Sequence, residues 1–369
     1  MQGFLVGLEY FFWFLVILSI VVFIHEFGHY LFARLNGVRV EIFSIGFGKE
    51  LLGVTDRHGT RWKLSIVPFG GYVKMFGDSD VASSGADPQL DQMSFKDKLV
   101  SFHHKELWRK AVIVFAGPAF NYISAILIIV GMFWFYGKPA TDPVVSQVAV
   151  GSPAAAAGLK IGDKILAIDE SQIMTFEELR QAIALNTGTQ IVLLVERGKK
   201  QISLKATPKL EKIKDAYGNE VNMPILGIAA AGGTLVKLSF IESVTQGVHE
   251  TFAISAGMLK GLWQIITGNR STKELGGPIK IAQYSGQSAQ HGLVSVLWFI
   301  ALISINLGLI NLLPLPLLDG GHLAFYAVEA LTGKPASEKF KLAATKISFA
   351  LLISLMIYVT FNDITGLIR

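Results

Sequence analysis

Four long apolar runs alternate with the polar parts of this chain. They cover roughly residues 9–35, 111–136, 294–318 and 344–361. Each approaches or exceeds the roughly 20 apolar residues that a helix needs to cross the hydrocarbon core of a bilayer. The pattern predicts an α-helical polytopic membrane protein with four transmembrane helices and a long polar insertion, residues 138–293, between the second helix and the third.

The insertion has the patterning of a small folded domain. Apolar and polar residues alternate in "QIVLLVERG" (190–198) and "KQISLKATP" (200–208), which predicts two strands. The spacing in "TFEELRQAIAL" (175–185) predicts a helix with Thr175 as its N-cap. Residues 237–269 have helical period and one apolar face. That segment is expected to lie on the membrane surface, pack against the spans or form a buried helix of the inserted domain.

Composition supports the membrane class and excludes others. Hydrophobic residues make up 51% of the chain, charged residues 17%, and mean hydropathy is +0.47. The net charge of +5 is spread through loops and forms no basic, aromatic-laced face, so we expect no nucleic-acid partner. The chain has no cysteine, which excludes disulfides and leaves only His, Asp and Glu as zinc ligands.

The distribution of positive charge predicts the topology. The first 24 residues contain no Lys or Arg, whereas residues 34–110 are rich in both and are therefore expected in the cytoplasm. Four spans then put both termini and the insertion on the extracytoplasmic side. A cleaved signal peptide is the rival interpretation of the first run, but no basic segment precedes it and no A-x-A-like site follows.

The first span contains an ionisable cluster, "HEFGH". His25 and His29 are four residues apart, so on a helix they share one face and can bind one metal ion. Glu26 is placed to hold a water molecule, as in H-E-x-x-H zinc proteases. Ionisable groups at membrane depth are energetically unfavourable, which favours a functional role over an interfacial cluster of polar groups.

A catalytic zinc ion takes a third protein ligand, and the sequence offers two candidates. Asp319 lies in "NLLPLPLLDGGH" (311–322), at the end of an apolar run where Pro314 and Pro316 break the helix. The paired glycines after it let the chain turn closely around an ion. His322 is the competing ligand, but it lies beyond the glycines and nearer water, so Asp319 is preferred.

These two motifs together resemble the site-2 protease family of intramembrane metalloproteases, most closely its bacterial regulator of sigma-E protease group. The likeness continues through "EIFSIGFGKEL", "IVPFGGYVKMFGD", "AGPAFNYI" and "LGGPIKIA". It implies one catalytic zinc ion bound by His25, His29 and Asp319. It also implies that Glu26 is the general base, in a helical membrane core reached from the cytoplasmic side.

The resemblance further implies how substrate is held. Residues 66–76 would form a hairpin that dips into the membrane and pairs through its edge strand with an unwound substrate, and the paired glycines Gly70 and Gly71 suit a tight turn there. Two span asparagines would face the substrate, with interhelical hydrogen bonding as the alternative. The expected substrate-binding residues are Gly71, Tyr72, Val73, Lys74, Met75, Asn306, Asn311, Pro314 and Pro316.

The segment "GSPAAAAGLKIGDKILAIDE" (151–170) resembles a PDZ domain, in which a groove accepts an extended peptide or chain terminus by strand addition. Ala157, Gly158 and Leu159 are the expected groove residues. There is room for one such domain, whereas well-known Gram-negative members carry two. The expected organisation is a membrane core (1–137), a PDZ-like domain (138–210), an extracytoplasmic or interfacial helical segment (211–293) and a second membrane core (294–369).

The sequence thus predicts an intramembrane zinc endopeptidase of the bacterial cytoplasmic membrane. Its partners would be the lipid bilayer, a peptide or substrate terminus at the PDZ groove, and single-pass membrane proteins cut within their transmembrane segments. By resemblance these substrates include trimmed anti-sigma factors and remnant signal peptides. One alternative is a membrane-anchored zincin that takes its third ligand from His103, His104 or Glu106. Another is a non-enzymatic metal transporter or PDZ-bearing scaffold, which would tolerate loss of Glu26.

Overall fold

The computed structural model describes residues 2–78, 93–186, 188–214, 220–269, 271–272 and 275–368. Its helices are α1 (Gln2–Leu35), α2 (Phe95–Val100), α3 (Leu107–Phe135), α4 (Pro153–Ala156), α5 (Phe176–Ala184), α6 (Phe240–Ile266), α7 (Pro278–Gln290), α8 (Leu293–Asn311), α9 (Asp319–Thr332) and α10 (Glu338–Ile368). Its strands are β1 (Val40–Thr55), β2 (Arg61–Met75), β3 (Lys138–Ala140), β4 (Val145–Val148), β5 (Lys164–Ile168), β6 (Ser171–Gln172), β7 (Ile191–Arg197), β8 (Lys200–Ala206), β9 (Lys209–Lys214), β10 (Glu220–Ile225), β11 (Ile228–Ala230) and β12 (Thr234–Val236).

Four of these helices, α1, α3, α8 and α10, are long and apolar enough to cross a membrane, as the hydropathy pattern predicts. The third of these helices, α8, ends earlier than the pattern predicts. The pattern extends the span to residue 318, but α8 stops at Asn311 because Pro314 and Pro316 follow. Proline lacks the N–H of a helical hydrogen bond and disfavours helical geometry in the residue before it. The chain from residue 312 to 318 is therefore a turn that leads into α9.

The chain divides into two compact units. The first contains residues 1–128 and 275–369, and the second contains residues 129–274. In the first unit, Gly286 lets α7 pack directly on the ring of Tyr10 in α1. The carboxylate of Asp363 in α10 accepts hydrogen bonds from the backbone N–H groups of Gly277, Ile279 and Lys280 at 3.1–3.2 Å. It thereby satisfies the free donors at the N-terminus of α7 and attaches α10 to it.

The first unit also contains a bent hairpin of β1 and β2. Residues 42–45 pair with 61–64 on one side and with 71–74 on the other, while 50–55 pair with 61–65. The prediction of a tight turn at Gly70 and Gly71 is wrong. Both glycines lie within β2, which folds back between residues 64 and 71 so that these two residues pair with opposite sides of Ile45; Gly70, with a φ of +115°, lies in this bend, and the hairpin turn itself lies at residues 56–60.

The second unit contains a four-stranded antiparallel sheet in the order β6-β5-β7-β8. Helix α5 covers one face of this module, and Leu179 and Ile183 pack with Leu193 and Val195 into its apolar core. The predicted helix and strands are confirmed here, including the cap, because the Thr175 hydroxyl accepts from the backbone N–H of Glu178. Strands β11 and β12, which lie beyond residue 210, pair with β4 and β3.

Helix α6 belongs to the second unit and places small residues against the end of α3. A Cβ at Gly247 would lie 2.6 Å from a methyl carbon of Val130, so the two helices touch at this glycine. The ring of Phe240 contacts Trp134. On the other side of α6 the apolar side chains are exposed, among them Phe252 and Trp263.

Candidate metal centre

Helix α1 brings the two histidines of "HEFGH" together. His25 and His29 are one turn apart on the same face, and both are 8% exposed. Their Nε2 atoms are 3.3 Å apart. Both imidazoles are shielded from solvent and their Nε2 atoms lie close together, so one ligand can contact both rings.

Asp319 completes the cluster from the far end of the sequence. It is the first residue of α9, and its carboxylate oxygens lie 3.2 Å from His25 Nε2 and 3.5 Å from His29 Nε2. Gly320 and Gly321 make this possible, because a Cβ on either would come within 2.3 Å of backbone oxygens in the preceding turn. The helix N-terminus also favours a negative charge at this position.

A second set of contacts orients the two rings. His29 Nδ1 lies 3.0 Å from the backbone oxygen of Ile113, to which its N–H donates. The amide nitrogen of fully buried Asn121 lies 3.1 Å from His25 Nδ1, and the Asn121 Oδ1 has no hydrogen-bond partner. Rotating the amide by half a turn lets Oδ1 accept from the His25 Nδ1–H. Ile113 and Asn121 both belong to α3. Each of them contacts the Nδ1 atom of a histidine and leaves the Nε2 atom of that ring free to bind a metal.

Gly117 gives these rings their space. A Cβ there would lie 2.2 Å from His29 Nε2 and 2.9 Å from His25 Cε1. Gly28 has the same role on α1, where a Cβ would lie 2.4 Å from the backbone oxygen of Ala116. Helices α1 and α3 can therefore approach closely only because both positions are glycine.

The cluster fits zinc. One ligand atom from each of His25, His29 and Asp319 lies within 4.8 Å of the others, which is the only such grouping of three among the described residues. Two imidazoles and one carboxylate are a typical donor set for a catalytic zinc ion, with the fourth position left for water or substrate. Asp319 Oδ2 is buried, and its 3.2 Å contact with His25 Nε2 does not have the geometry of a hydrogen bond, as expected for two atoms that face a shared cation.

The strand β2 passes beside Glu26. A Cβ at Gly71 would lie 2.9 Å from Glu26 Cγ, so the backbone of the strand lies against the side chain of Glu26. Residues 71–74 pair with β1 along one edge, and no other strand among the described residues pairs with their second edge. The expected substrate-binding segment from Gly71 to Met75 thus begins at a residue that lies against Glu26.

The other expected substrate residues lie at and after the end of α8. The Asn311 amide nitrogen is 3.4 Å from His25 Nε2, which places this side chain at the metal cluster. Asn306 is on the same helix and is partly buried. Pro314 is exposed and Pro316 partly buried, and both lie in the turn before Asp319.

The competing ligands lie outside this cluster. His103 is 2.9 Å from a carboxylate oxygen of Asp78, and His104 Nδ1 is 3.2 Å from the Ser101 hydroxyl. His322 is in the first turn of α9 but is not a member of the group. These positions disfavour the anchored-zincin alternative, which needs His103, His104 or Glu106 as the third ligand.

In the second unit, a groove of about 800 Å³ lies between α5 and the segment from Ile225 to Ala231. Ala157, Gly158 and Leu159 are not among the residues that line it. Leu159 belongs to the apolar core, and the backbone oxygen of Gly158 accepts a hydrogen bond from Arg197 at 2.8 Å. The hydrogen bond from the same guanidinium to buried Asp163 lowers the pKa of that carboxyl.

Sequence reasoning missed Gly117 and Asn121 as part of the site. Both lie in "AGPAFN", a segment that contributes to the family likeness without an assigned role. Their spacing of four residues on α3 puts them on one face, and that is the signal that could have identified them.

Comparisons with known proteins agree with this chemistry. A family model described as "Peptidase family M50" matches residues 13–355. A protein of Agrobacterium fabrum named as a zinc metalloprotease is 43% identical over 99% of this chain and 98% of its own length. The metalloprotease MmpA of Caulobacter vibrioides is 35% identical over 95% of this chain and 94% of its own. A solved PDZ domain of the SdrC-like protein of Listeria monocytogenes covers 24% of this chain and 84% of that domain, at 24% identity and a TM-score of 0.20.

Proposed function

This chain belongs to peptidase family M50, the site-2 protease family, and is a zinc metalloprotease; we propose that it hydrolyses peptide bonds within the membrane, inside transmembrane segments of single-pass proteins. The observation that supports this is the position of the metal cluster. His25 and His29 lie in the interior of a helix long and apolar enough to span a bilayer, and they meet Asp319 there. A cluster at that depth reaches substrates that are themselves in the membrane.

The residues have distinct roles in the proposed reaction. Zinc held by His25, His29 and Asp319 would supply a Lewis acid that polarises the scissile carbonyl and lowers the pKa of a bound water molecule. Glu26 accepts the proton of the attacking water and passes it to the leaving amine. Asn121 and the Ile113 carbonyl keep the imidazoles oriented, so that the ligand geometry is set before substrate arrives.

Substrate must be extended before it can be cut, because a helix keeps its amides in intrahelical hydrogen bonds. The free edge of residues 71–74 lies beside Glu26 and can pair with an unwound segment through its backbone. Asn311, at the cluster, can compete for the backbone bonds of the substrate helix. Segments rich in helix-weakening residues, as in trimmed anti-sigma factors and remnant signal peptides, are the proposed substrates.

The proposed location is a bacterial cytoplasmic membrane, with residues 34–110 in the cytoplasm. Charge asymmetry supports this orientation, since the positive residues flank the cytoplasmic ends of α1 and α3. The PDZ-like module and both termini would then be extracytoplasmic. A peptide or substrate terminus would occupy the groove beside α5, by strand addition to the segment that contains β11.

The test is cleavage of a model single-pass substrate by purified protein, with zinc content measured on every sample. Glu26→Gln should keep about one zinc ion per chain and lose cleavage by at least about 1,000-fold, as expected for removal of a general base. Mass spectrometry should place the wild-type cut inside the transmembrane segment. A cut confined to soluble flanking residues would exclude intramembrane proteolysis while leaving the metalloprotease intact.

Three further variants separate this proposal from the anchored zincin. Asp319→Ala should abolish zinc retention and cleavage together, because it removes one of three protein ligands. His103→Ala and His104→Ala should retain both, since neither side chain reaches the cluster. The reverse pattern would favour the anchored zincin.

A further inference from the structure

A second concave site lies in the first unit, between the start of α3 and the middle of α9. Leu107, Trp108 and Ala111 form one wall and a face of α9 from Leu323 to Ala330 forms the other. We call it the α3–α9 groove. Its volume of about 500 Å³ is within the range of about 300–1,000 Å³ typical of small-molecule sites. Apart from the Tyr326 hydroxyl and the Trp108 ring nitrogen, the side chains that line it are apolar.

The groove lies at the boundary of a membrane span. Helix α3 begins at Leu107 and its uninterrupted apolar run begins at Ala111, directly after Arg109 and Lys110, so the groove lies where the hydrocarbon would start. Trp108 is 57% exposed, and tryptophan is enriched at the interface between hydrocarbon and headgroups. Water alone would leave these apolar walls exposed, whereas a lipid chain would cover them.

The rim of the groove is cationic. Lys105, Arg109 and Lys110 occur within six residues, and Glu106, the only acid among them, is 3.2 Å from Arg109. Lys110 has no carboxylate partner in the described part of the chain, and its Nζ stands 5.7 Å from the centre of the Tyr326 ring in the opposite wall. Arg109 and Lys110 thus put two positive charges near the mouth of the groove, with Glu106 paired to Arg109 and Glu329 one turn from Tyr326 as the nearby acids, and cations at the mouth of an apolar groove suit an anionic headgroup.

We propose that the α3–α9 groove binds one anionic phospholipid of the leaflet next to residues 93–110, with an acyl chain between Ala111 and Ala327 and the phosphate beside Lys110 and Arg109. The proposal rests on the membrane location and not on proteolysis. An apolar channel with cations at its mouth matches a molecule that has an apolar tail and a charged head.

The proposed lipid has a structural consequence for the metal centre. Helix α9 carries Asp319 at its first residue, yet in the described structure only Gly320 and Gly321 of this helix are buried. A lipid chain between α3 and α9 adds apolar contacts to both helices and holds α9 in place. Zinc retention should therefore be greater when the lipid is bound.

The experiment measures lipid retained by the full-length protein in detergent, by native mass spectrometry. The probes are phosphatidylglycerol and phosphatidylcholine with the same acyl chains. Wild type should retain one phosphatidylglycerol per chain in preference to phosphatidylcholine. Arg109→Gln/Lys110→Gln should reduce that preference by roughly 30-fold, since each cation near a bilayer surface contributes about fivefold. The matched variant Lys96→Gln/Lys98→Gln removes the same charge from α2 and should reduce it by less than about threefold.

A second variant tests the apolar part of the groove. Ala327→Trp fills the space and should lower retention of both lipids by at least about tenfold. Val328→Trp adds the same side chain at the neighbouring position, which does not line the groove, and should retain wild-type binding. Unchanged retention in Ala327→Trp, or equal losses in the two charge-removal variants, would overturn the proposal.

Two further outcomes would identify another occupant. Displacement of phosphatidylglycerol by excess inorganic phosphate would show that the site recognises the phosphate alone. A lipid-free dimer that Ala327→Trp converts to a monomer would show that a second copy of the chain fills the groove. Zinc content is measured on all samples. A failure of lipid retention with normal cleavage rejects the lipid site alone, whereas normal retention without cleavage rejects the proposed function alone.

Discussion

The PDZ-like module buries the apolar side chains of its four-stranded sheet, whereas the hairpin of β1 and β2 exposes many of its own. In the module, Leu179, Leu193 and Val195 are fully buried. In the hairpin, Leu52 is 70% exposed and Val54 is 66% exposed. Both regions are rich in the β-branched and aromatic residues that favour strands. The difference therefore reflects the surroundings of each sheet and not strand propensity.

This contrast fits a module that folds in water and a hairpin that, as the sequence predicts, meets hydrocarbon. A sheet in water buries apolar side chains because their transfer from water is favourable, by about 25 cal/mol per Å². A hairpin that meets hydrocarbon gains nothing by hiding them. Water-facing polar groups do occur in the hairpin at its reversal, where Asp56 accepts from the backbone N–H groups of His58 and Thr60. The hairpin therefore combines exposed apolar side chains with polar groups at its reversal and with the ion pairs Glu50–Arg61 and Glu41–Lys74, as expected of a segment at the boundary between membrane and water.

The largest effect is expected in the module core. Leu179→Ala should lower the free energy of unfolding of the module by about 3 kcal/mol, because it removes a fully buried side chain and leaves a cavity. Hydrogen exchange of peptides from residues 140–206, measured in the full-length protein, reports this loss. Leu52→Ala is the matched hairpin variant and should leave exchange in detergent unchanged. Equal losses at the two positions would remove the contrast.

The next largest effect is expected when a negative charge is placed on the exposed face of the hairpin and, for comparison, on the exposed face of the module. If the hairpin enters the membrane as the sequence predicts, Val54→Asp should destabilise it by about 2 kcal/mol, since a carboxylate in hydrocarbon is unfavourable. In lipid nanodiscs this should raise hydrogen exchange of residues 50–66 by roughly 30-fold and reduce substrate cleavage. Val192→Asp adds the same charge to the outer face of the module, where water accepts it, and should change exchange little. Wild-type behaviour of Val54→Asp in both assays would show that this face is not in lipid.

A smaller effect is expected at Asp56, which attaches the hairpin to α1. One carboxylate oxygen accepts from the Tyr30 hydroxyl at 3.3 Å and from the Trp62 ring nitrogen at 3.0 Å. Burial raises the pKa of Asp56, but the hydrogen bonds from Trp62, Thr60, His58 and Tyr30 together lower it to about 2. Asp56→Asn puts an amide N–H₂ where two donors already point, and should weaken the attachment by about 1 kcal/mol.

The pH dependence of this contact has a definite sign. Because the pKa of Asp56 is lower in the folded protein, its stabilisation is complete above its ordinary value of about 3.9 and is lost as pH falls toward 2. Protection of residues 56–60 from hydrogen exchange, corrected for the intrinsic rate, should fall across this window in wild type. In Asp56→Asn it should be lower at pH 6 and nearly constant down to pH 3. Parallel curves for the two proteins would contradict the assignment.

The smallest effect is expected for Lys74→Gln. The Lys74 ammonium lies 3.1 Å from a carboxylate oxygen of Glu41, a partly exposed ion pair of the kind worth less than about 1 kcal/mol. If the strand from Gly71 to Met75 pairs with substrate through its backbone, the side chain at 74 contributes little. KM should change by less than about threefold. A much larger change would show that side-chain recognition, and not strand pairing, dominates at the hairpin.

Much of the fold follows from local patterns. The four apolar helices, the cap at Thr175 and the strands of the module depend on periodicity and on residues close in sequence, and these predictions are confirmed. The meeting of His25 and His29 is likewise local, because helix geometry fixes it. Asp319 is distant in sequence but could still be selected, because an acid at membrane depth is energetically unfavourable unless a cation balances its charge.

The rest depends on how the helices are rotated against each other. Helix α3 is apolar on all sides, so no periodicity indicates which face meets α1. The roles of Gly117 and Asn121 therefore emerge only from packing. The same holds for Asp56 and Tyr30, which are 26 residues apart and meet through the bend of the hairpin. The prediction of a turn at Gly70 and Gly71 is wrong because glycine also serves strands that bend or pass close to other groups.

Gly117 has a consequence for genetics. It has no side chain and no chemistry, yet every missense change of its codon adds a Cβ that would fall 2.2 Å from a ring nitrogen of His29. Alleles at this position should produce a full-length, membrane-inserted protein that has lost zinc, the same phenotype as a change of a ligand. A selection for inactive alleles should therefore recover residue 117 alongside 25, 29 and 319. Its codon should accept only synonymous changes.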